Sequence, residues 1–365
     1  MQLEFFPSRT LMLYLSRLFV TRIIAVLIML VLVLMMLDLL GESGDILSHP
    51  GNGEAELFHY ATLRIPQLIA RFLPYSALLA TIITLATLNQ NSEVIAMKAS
   101  GLSAHQVLAP LVLTALIVAL VSFVFNERIV TRATSTLAAW QAVDYGPIPT
   151  DSGIRSNVYL TDGQDVLMAA TLSGAGNATV MQRVTYYRRD QAGMIVEQLR
   201  APRATFAGPG WTLEKPERFD AVTTQSSASA AVTVAKGITL DQIALSKVDA
   251  DAQNLFELRK SIAALKAAGR RTSELEAAWW HKISGPLSAV LMPLLGAVAA
   301  FGLARSGQLL IRSVIGMALG FAYFVIDNAA LAMGNFGGYP PMVAAWAPFF
   351  LFALIGETVL IRTEE

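Results

Sequence analysis

Two carboxyl groups lie inside apolar stretches of this chain, where an ionised side chain needs a partner. Asp327 follows Phe324-Val-Ile and precedes an uncharged loop. Since an unpaired ionisable group is costly in hydrocarbon, two interpretations remain open. Asp327 could lock or gate the helices through a cation on another helix, or it could be a carboxyl that is simply hydrogen-bonded to a neighbouring helix. Asp38 lies nearer the end of its apolar stretch, where a structural role is favoured.

The sequence holds none of the motifs that commonly carry out catalysis. There is no G-x-x-x-x-G-K-[ST] phosphate loop, so this chain is not expected to hydrolyse nucleotide itself. There is no H-E-x-x-H zinc motif and no G-x-S-x-G nucleophile elbow, and the four histidines are scattered without metal-ligand spacing. Cysteine is absent, which excludes disulfides and thiolate chemistry. An enzyme is the function class with least support, and no metal or cofactor is expected.

A short polar loop, Asn89–Gly101, contains an acidic residue followed by apolar side chains. Ser92 can cap a short helix over residues 91–100, and Glu93 then lies at the positive end of that helix. The apolar residues are unusual for a loop that faces water: Val94, Ile95 and Met97. An exposed apolar patch often marks a partner surface, but a helix resting on the membrane interface has the same composition. The residues alone favour neither interpretation.

The composition of the chain favours lipid as the solvent for much of its length. Hydrophobic residues make up 54% of the 365 residues and charged residues 15%, whereas soluble domains are about 45–50% apolar and about 25% charged. A spanning helix needs roughly 20 mostly apolar residues. Six stretches meet this requirement: Leu18–Leu40, Ile65–Leu88, Val107–Phe125, Ile283–Leu303, Leu309–Met333 and Met342–Ile361. The 27 basic and 27 acidic residues balance, so charge gives no indication of nucleic-acid binding.

The distribution of basic residues predicts the orientation of these spans. Arginines precede the first span, Lys98 lies in the loop after the second, and Arg305 lies in the loop after the fourth, whereas the loop after the first span is mainly acidic. Basic residues are enriched in cytoplasmic loops. Both termini are therefore predicted to be cytoplasmic, and the long segment between the third and fourth spans is predicted to be periplasmic.

The segment between the third and fourth spans is predicted to be rich in β-strands. Seven short strands are separated by turn-forming residues: Asn157–Leu160, Asp165–Ala169, Thr179–Tyr187, Met194–Leu199, Ala204–Phe206, Trp211–Glu214 and Ala231–Val234. This spacing is typical of an antiparallel sandwich or jelly roll. Two helices follow, Phe256–Ala268 with Gly269 as C-cap, and Ser273–Lys282, which leads into the fourth span. The predicted domains are residues 1–125, 126–281 and 282–365.

Three stretches together resemble the lipopolysaccharide-export permeases of the LptF/LptG type. Glu93-Val-Ile-Ala-Met-Lys-Ala-Ser-Gly101 is similar to a loop element of that family. Two more stretches favour the LptG branch. Trp280-His-Lys-Ile-Ser-Gly-Pro-Leu-Ser288 resembles the start of its fourth helix, and Phe324-Val-Ile-Asp327 followed by Gly338-Tyr-Pro-Pro341 resembles its fifth helix and the next turn. The layout of three helices, a periplasmic jelly roll and three helices covers the whole chain.

The resemblance implies a half-transporter of a Gram-negative inner membrane. It implies an LptF-like second permease and an LptB-like ATPase dimer that binds ATP and Mg, so the ATPase is a separate chain. The helix with Glu93, Val94, Ile95 and Met97 would be the coupling helix that docks in an ATPase groove. Lipopolysaccharide would enter from the periplasmic leaflet and pass through the jelly roll to LptC-like and LptA-like proteins.

The sequence departs from the resemblance where lipid A phosphates would bind. Members of this branch tend to carry lysine near the periplasmic end of the first helix, but here residues 35–45 are acidic, and Leu137 and Trp140 stand where arginines are expected. Five cations predicted near that leaflet are phosphate candidates and equally interfacial anchors: Arg64, Arg71, Arg128, Arg132 and Lys282.

Other function classes remain as alternatives to a transport permease. A secondary transporter would normally show inverted repeats and broken helices, and the two helix triplets show no evident similarity to each other. A non-transporting ABC-type signalling or mechanotransmission protein would use the β domain as a sensor. Copurification of an ATPase would not separate this alternative from transport, whereas crosslinking to lipopolysaccharide would.

Overall fold

The structure is a computed structural model, and it describes residues 7–146, 155–174, 179–190, 193–221, 223–228, 230–238, 248–267, 271–301 and 309–362. The chain forms two compact units. The helical unit comprises Met1–Asp38, Ile65–Val130 and Asn254–Glu365, and the β-rich unit comprises Leu39–Arg64 and Thr131–Gln253. These units cross the domain limits predicted from sequence, because residues 254–281 belong to the helical unit and residues 39–64 to the β-rich unit.

Nine α-helices and one π-helical turn are found in the described part of the chain. The N-terminal helices are α1 (Arg9–Ser48), α2 (Glu54–Gln90), α3 (Glu93–Ala99) and α4 (Ala104–Phe125). The π-helical turn Asn126–Val130 follows α4 directly and leads into α5 (Thr131–Ala142). The C-terminal helices are α6 (Leu255–Ala267), α7 (Ser273–Phe301), α8 (Leu309–Asn335) and α9 (Pro341–Arg362). Helix α6 matches the predicted helix closely, although its predicted cap, Gly269, lies outside the described residues.

Within the described residues, five helices are long and apolar enough to cross a membrane. These helices are Arg9–Ser48, Glu54–Gln90, Ala104–Ala142, Val314–Asn335 and Pro341–Ile361. Each overlaps one of the six predicted spans. The remaining predicted span, Ile283–Leu303, begins in α7, and its last two residues lie outside the described part, as does the predicted loop residue Arg305. Prolines lie inside α2, α4, α7 and α9, which spanning helices tolerate because neighbouring groups satisfy the freed carbonyls.

The core of the helical unit is apolar and draws on six of its helices and the loop helix α3. Helix α7 packs against α4, α8 and α9, and the ring of Tyr75 on α2 stacks on that of Phe324 on α8 with centroids 3.8 Å apart. Fully buried side chains include Leu15, Phe19, Leu85, Leu88, Leu108, Leu111, Met292, Leu295 and Tyr323. The outer faces remain apolar and exposed, with Leu32, Leu37 and Leu354 each more than 60% accessible. Such faces suit lipid or another spanning chain.

The β-rich unit contains one antiparallel sheet of eight strands. The strands are β1 (Arg155–Asp162), β2 (Asp165–Ser173), β3 (Val180–Arg189), β4 (Ile195–Phe206), β5 (Trp211–Glu214), β6 (Glu217–Asp220), β7 (Gln225–Ala228) and β8 (Val232–Val234). Their order is β1-β2-β3-β4-β5-β8, with β6 paired to β4 and β7 to β6. Val184, Tyr186 and Trp211 are among the side chains that form its buried core.

The long strand β4 joins two predicted strands, Met194–Leu199 and Ala204–Phe206, and contains Pro202 between them. Residues 197–200 of β4 pair with β6, and residues 203–206 pair with β5. On its opposite edge β4 pairs with β3, and this residue-to-residue pairing skips Pro202 of β4 and Arg183 of β3. Arg183 adopts a left-handed conformation with a φ of 47°. Because proline has no N–H to donate, it is tolerated where the ladder is interrupted. The strand therefore continues through the proline and changes partner there.

Candidate functional site

The loop helix α3 is shorter than predicted and is not capped as predicted. Helix α3 begins at Glu93 and ends at Ala99, and Ser92 adopts a left-handed conformation with φ 60° and no side-chain cap hydrogen bond. Gly101, with φ 90°, lets the chain turn back toward α4. Helix α4 then starts with a full capping box between Ser103 and Gln106. Gly101 and the capping box of α4 therefore define the C-terminal side of this segment, and the Ser92 side chain does not cap its start.

Two of the three apolar residues predicted to be exposed on this helix are buried. Val94 and Met97 retain only 5% and 8% of their accessible surface, and both belong to the core of the helical unit. Residues three apart share one helix face, so this face packs onto the protein itself. Ile95 is 55% exposed. The expected apolar patch therefore reduces to Ile95, bordered by the polar residues of the outer face.

The carboxylate of Glu93 is held by side chains on two sides. The Tyr14 hydroxyl on α1 donates to Oε2 at 3.1 Å, and the Asn91 amide donates to Oε1 at 3.3 Å. Glu93 is half-buried and Tyr14 is 45% exposed. The sequence identified Glu93 but not Tyr14, which lies 79 positions away and belongs to no motif.

Lys282, one of the five phosphate candidates, is buried and paired within the protein. Its Nζ lies 3.8 Å from Oε1 of Glu127 in the π-helical turn, and the two side chains are only 7% and 14% exposed. Oε2 of Glu127 accepts a hydrogen bond of 2.6 Å from the backbone N–H of Leu255 at the start of α6. Lys282 therefore links α7 to the π-helical turn that follows α4, and it is not accessible to a lipid phosphate in this structure.

The other four phosphate candidates differ in exposure. Arg71 on α2 and Arg128 in the π-helical turn are exposed and belong to the helical unit. Arg132 on α5 is exposed and Arg64 on α2 is half-buried, and both belong to the β-rich unit. Exposed guanidinium groups are suited to phosphate because each presents several donors in a fixed plane.

Asp327 has a partner on a neighbouring helix, as both sequence interpretations require, so the contact leaves the choice between them open. Its Oδ2 lies 2.9 Å from Nε2 of His281 on α7, and its side chain is 9% exposed. The sequence did not predict His281 as the partner of Asp327, because an isolated histidine has no distinctive spacing. Asp38 is half-buried and lies ten residues before the end of α1. No group of three or more metal-binding side chains is found among the described residues.

The β-rich unit contains two tyrosines that are hydrogen-bonded to carboxylates. The Tyr145 hydroxyl donates to Glu42, and burial together with that carboxylate raises the pKa of Tyr145 to about 12. The Tyr186 hydroxyl donates to Asp165 at 2.6 Å, and burial and the carboxylate raise the pKa of Tyr186 well above its ordinary value. Glu197 is also buried, 2.7 Å from Arg188 and 2.5 Å from Arg218. These polar groups are partnered inside the unit and suit a structural role.

Comparison with known proteins gives one family over nearly the whole chain. The model of the family described as Lipopolysaccharide export system permease LptF/LptG matches residues 13–362. The Lipopolysaccharide export system permease protein LptG of Escherichia coli (strain K12) is 25% identical over 312 residues, 83% of this chain and 84% of that protein. The LptG protein of Haemophilus influenzae is 25% identical over 316 residues, 84% of this chain and 86% of that protein. Both alignments cover most of this chain and most of the relative's chain.

Proposed function

Because this chain belongs to the LptF/LptG family of lipopolysaccharide export permeases, we propose that it is the LptG-like half of an ATP-driven exporter. The observation that carries the proposal is the family match over residues 13–362 in a chain whose apolar helices flank an antiparallel sheet. The chain is a transporter subunit and not an enzyme by itself. In the proposed complex it pairs with an LptF-like permease and an LptB-like ATPase dimer supplies the energy.

Helix α3 is the proposed coupling helix. Its inner face packs into the helical core through Val94 and Met97, so a displacement of α3 is transmitted to the helices beneath it. Its outer face presents Ile95 and the negative charge of Glu93. A basic residue in an ATPase groove is the natural partner for this charge, because complementary charges fix the register of an interface.

The proposed substrate path begins at the outer leaflet of the inner membrane and continues along the sheet. Apolar helix faces accept the acyl chains. Each of the four remaining cations is proposed separately as a phosphate ligand: Arg71, Arg128, Arg132 and Arg64. Lys282 is left out because Glu127 already neutralises it at 3.8 Å. The buried face of the sheet, with Val184 and Tyr186, is the proposed apolar path within a jelly roll. An edge strand of the sheet would extend into an LptC-like protein and then an LptA-like bridge by strand addition.

The proposed orientation is that of a multi-pass inner-membrane protein with both termini in the cytoplasm. Five candidate spans and the LptG relatives fit such a protein. The positions of the basic residues support cytoplasmic termini and a periplasmic β-rich segment. The sixth span, which the layout requires, is proposed for the predicted stretch Ile283–Leu303, which begins in α7.

Reversing the charge of Glu93 tests the coupling role. Glu93→Lys places two like charges together in the proposed interface, which costs several kcal/mol. The variant should insert into the membrane at the normal level, but it should lose either the copurifying ATPase or ATP-dependent release of lipopolysaccharide. Glu93→Ala should be milder because it adds no repulsion. Glu217→Lys, on an exposed position of β6, is the matched control and should behave as wild type.

The opposite interpretation of α3 predicts the opposite result. If α3 only rests on the membrane surface, Glu93→Lys should be neutral or should strengthen attachment to anionic lipid. A Glu93→Lys protein with normal ATPase binding and normal lipopolysaccharide release would contradict the coupling role. Rescue of the variant by an acidic replacement in the ATPase would identify the residue that Glu93 contacts.

A further inference from the structure

The carboxylate of Glu93 receives its hydrogen bonds from neutral groups. Tyr14 Oη lies 3.1 Å from Oε2 and 3.4 Å from Oε1, and Asn91 Nδ2 lies 3.3 Å from Oε1. Among the described residues, no lysine or arginine lies within ion-pair distance of Glu93, although Arg22 on α1 interacts with it electrostatically from farther away. Neutral donors orient a carboxylate without cancelling its charge, and a carboxylate has roughly four acceptor positions. Arg22 offsets this charge only from beyond ion-pair distance, so part of the negative charge of Glu93 and part of its hydrogen-bonding capacity remain for a partner.

Tyr14 reaches Glu93 from a rigid position. The next residue, Leu15, is completely buried and lies in the same apolar cluster as Val94 and Met97. The start of α1 and the inner face of α3 are thus parts of one packed core, which fixes the Tyr14 backbone relative to α3. The phenol ring has only two side-chain torsions, so its hydroxyl is well defined. The glutamate, by contrast, would otherwise sample several rotamers at the start of a short helix.

We propose that Tyr14 is a positioning residue for docking of the ATPase, because it holds the Glu93 carboxylate in the orientation in which a basic residue of the ATPase meets it. This inference rests on the proposed coupling role of Glu93. Tyr14 acts through Glu93 and does not itself supply the charge. The conformational freedom of the glutamate is restricted before docking, and preorganisation of this kind raises affinity by lowering the ordering cost at the moment of binding.

A double-mutant cycle tests this role in the assembled permease pair. The four proteins are the wild type, Tyr14→Phe, Glu93→Ala and the double variant, each reconstituted in nanodiscs, and the measurement is the Kd of a purified LptB-like ATPase. Tyr14→Phe should weaken binding about fivefold, within the range of coupling between contacting residues. In the Glu93→Ala background the same substitution should change Kd less than about twofold, since its target is gone. Tyr159→Phe, at an exposed position of β1, is the matched control and should leave Kd unchanged.

Two results would overturn the positioning role and remain distinct from a failure of the coupling role. Wild-type affinity in Tyr14→Phe, together with weakened binding in Glu93→Ala, would eliminate Tyr14 and retain Glu93 as a contact. An equal loss from Tyr14→Phe in both backgrounds would show that Tyr14 acts on folding or packing and not through Glu93. Wild-type affinity in Glu93→Ala and Glu93→Lys would instead remove the coupling role itself.

Discussion

Nε2 of His281 on α7 lies 2.9 Å from Oδ2 of Asp327 on α8. Asp327 is almost fully shielded, with its side chain 9% exposed, whereas the His281 side chain is 32% exposed. The contact joins two helices that pack together along the core of the helical unit. The Asp327 carboxyl thus has a histidine as its partner. This contact offsets part of the free-energy cost of placing an ionisable group in an apolar helix.

Removing the Asp327 carboxyl should weaken the contact between α7 and α8. Interhelical hydrogen bonds in membrane proteins contribute about 0.6 kcal/mol on average and up to about 1.7 kcal/mol. Asp327→Ala should therefore lower the free energy of unfolding by about 1 kcal/mol, which thermal unfolding in detergent will detect. Asp327→Asn keeps an acceptor for His281 and should lose less. Equal stability of wild type and Asp327→Ala would show that the pair does not stabilise this helix contact.

The Lys282–Glu127 pair should contribute to stability and not to lipid binding. Removing one member of a shielded ion pair costs about 3–5 kcal/mol because the other charge remains buried. Lys282→Met alone should be strongly destabilised, and Lys282→Met with Glu127→Gln should recover much of that loss. The measurement is thermal unfolding of the four proteins of this cycle. If Lys282 were instead a phosphate ligand, Lys282→Met should reduce lipopolysaccharide binding at unchanged stability.

Much of this architecture could be predicted from the sequence because its physical signals are local. Apolar runs of membrane length identified the five helices now seen, and alternation with turn residues identified β1 to β5 and β8. The polar strands β6 and β7 were missed, since Gln225–Ala228 is exposed throughout and shows no alternation. Two strands were predicted where β4 is continuous, because the change of partner that accommodates Pro202 depends on strands distant in sequence.

The site was less predictable, since its contacts join residues far apart in the chain. The motif around Glu93 indicated a loop helix, but burial of Val94 and Met97 depends on the packing of α1 and α4 around it. Lys282 was a phosphate candidate from its position near the membrane surface. Only the fold brings Glu127, which lies 155 positions earlier in the chain, to 3.8 Å from it.

The phenol of Tyr145 should titrate near pH 12 in the folded protein, since burial and Glu42 raise its pKa to about 12. A folded pKa above the unfolded value means that the stabilisation is fully present below about pH 10, and it is lost as pH rises through the folded pKa. The phenolate absorbance difference between wild type and Tyr145→Phe measures this titration. Glu42→Gln should lower the midpoint only in part, because burial remains. A midpoint near 10 would contradict the buried, carboxylate-bonded environment.

Single cysteines test the predicted orientation directly, because the natural sequence contains none. Asn177, within the predicted periplasmic segment, lies outside the described residues. Ser226 on β7 is exposed and serves as the outer position, and Ser92 before α3 is the exposed inner position. An impermeant maleimide should label Ser226→Cys in intact spheroplasts and should label Ser92→Cys only after lysis. The reverse pattern would contradict the orientation and with it the coupling role of α3.

Transport of lipopolysaccharide through the β-rich unit is the central claim, and site-specific crosslinking along β3 tests it most directly. Val184 is buried, 1% exposed, on the inner face of the sheet, and the next residue, Thr185, points to the opposite face. A photoreactive residue at position 184 in the complete exporter should crosslink to lipopolysaccharide when ATP is supplied and not without it. The same probe at position 185 should give little or no such product. Crosslinks from position 184 to proteins alone, with or without ATP, would contradict the account and favour a sensor.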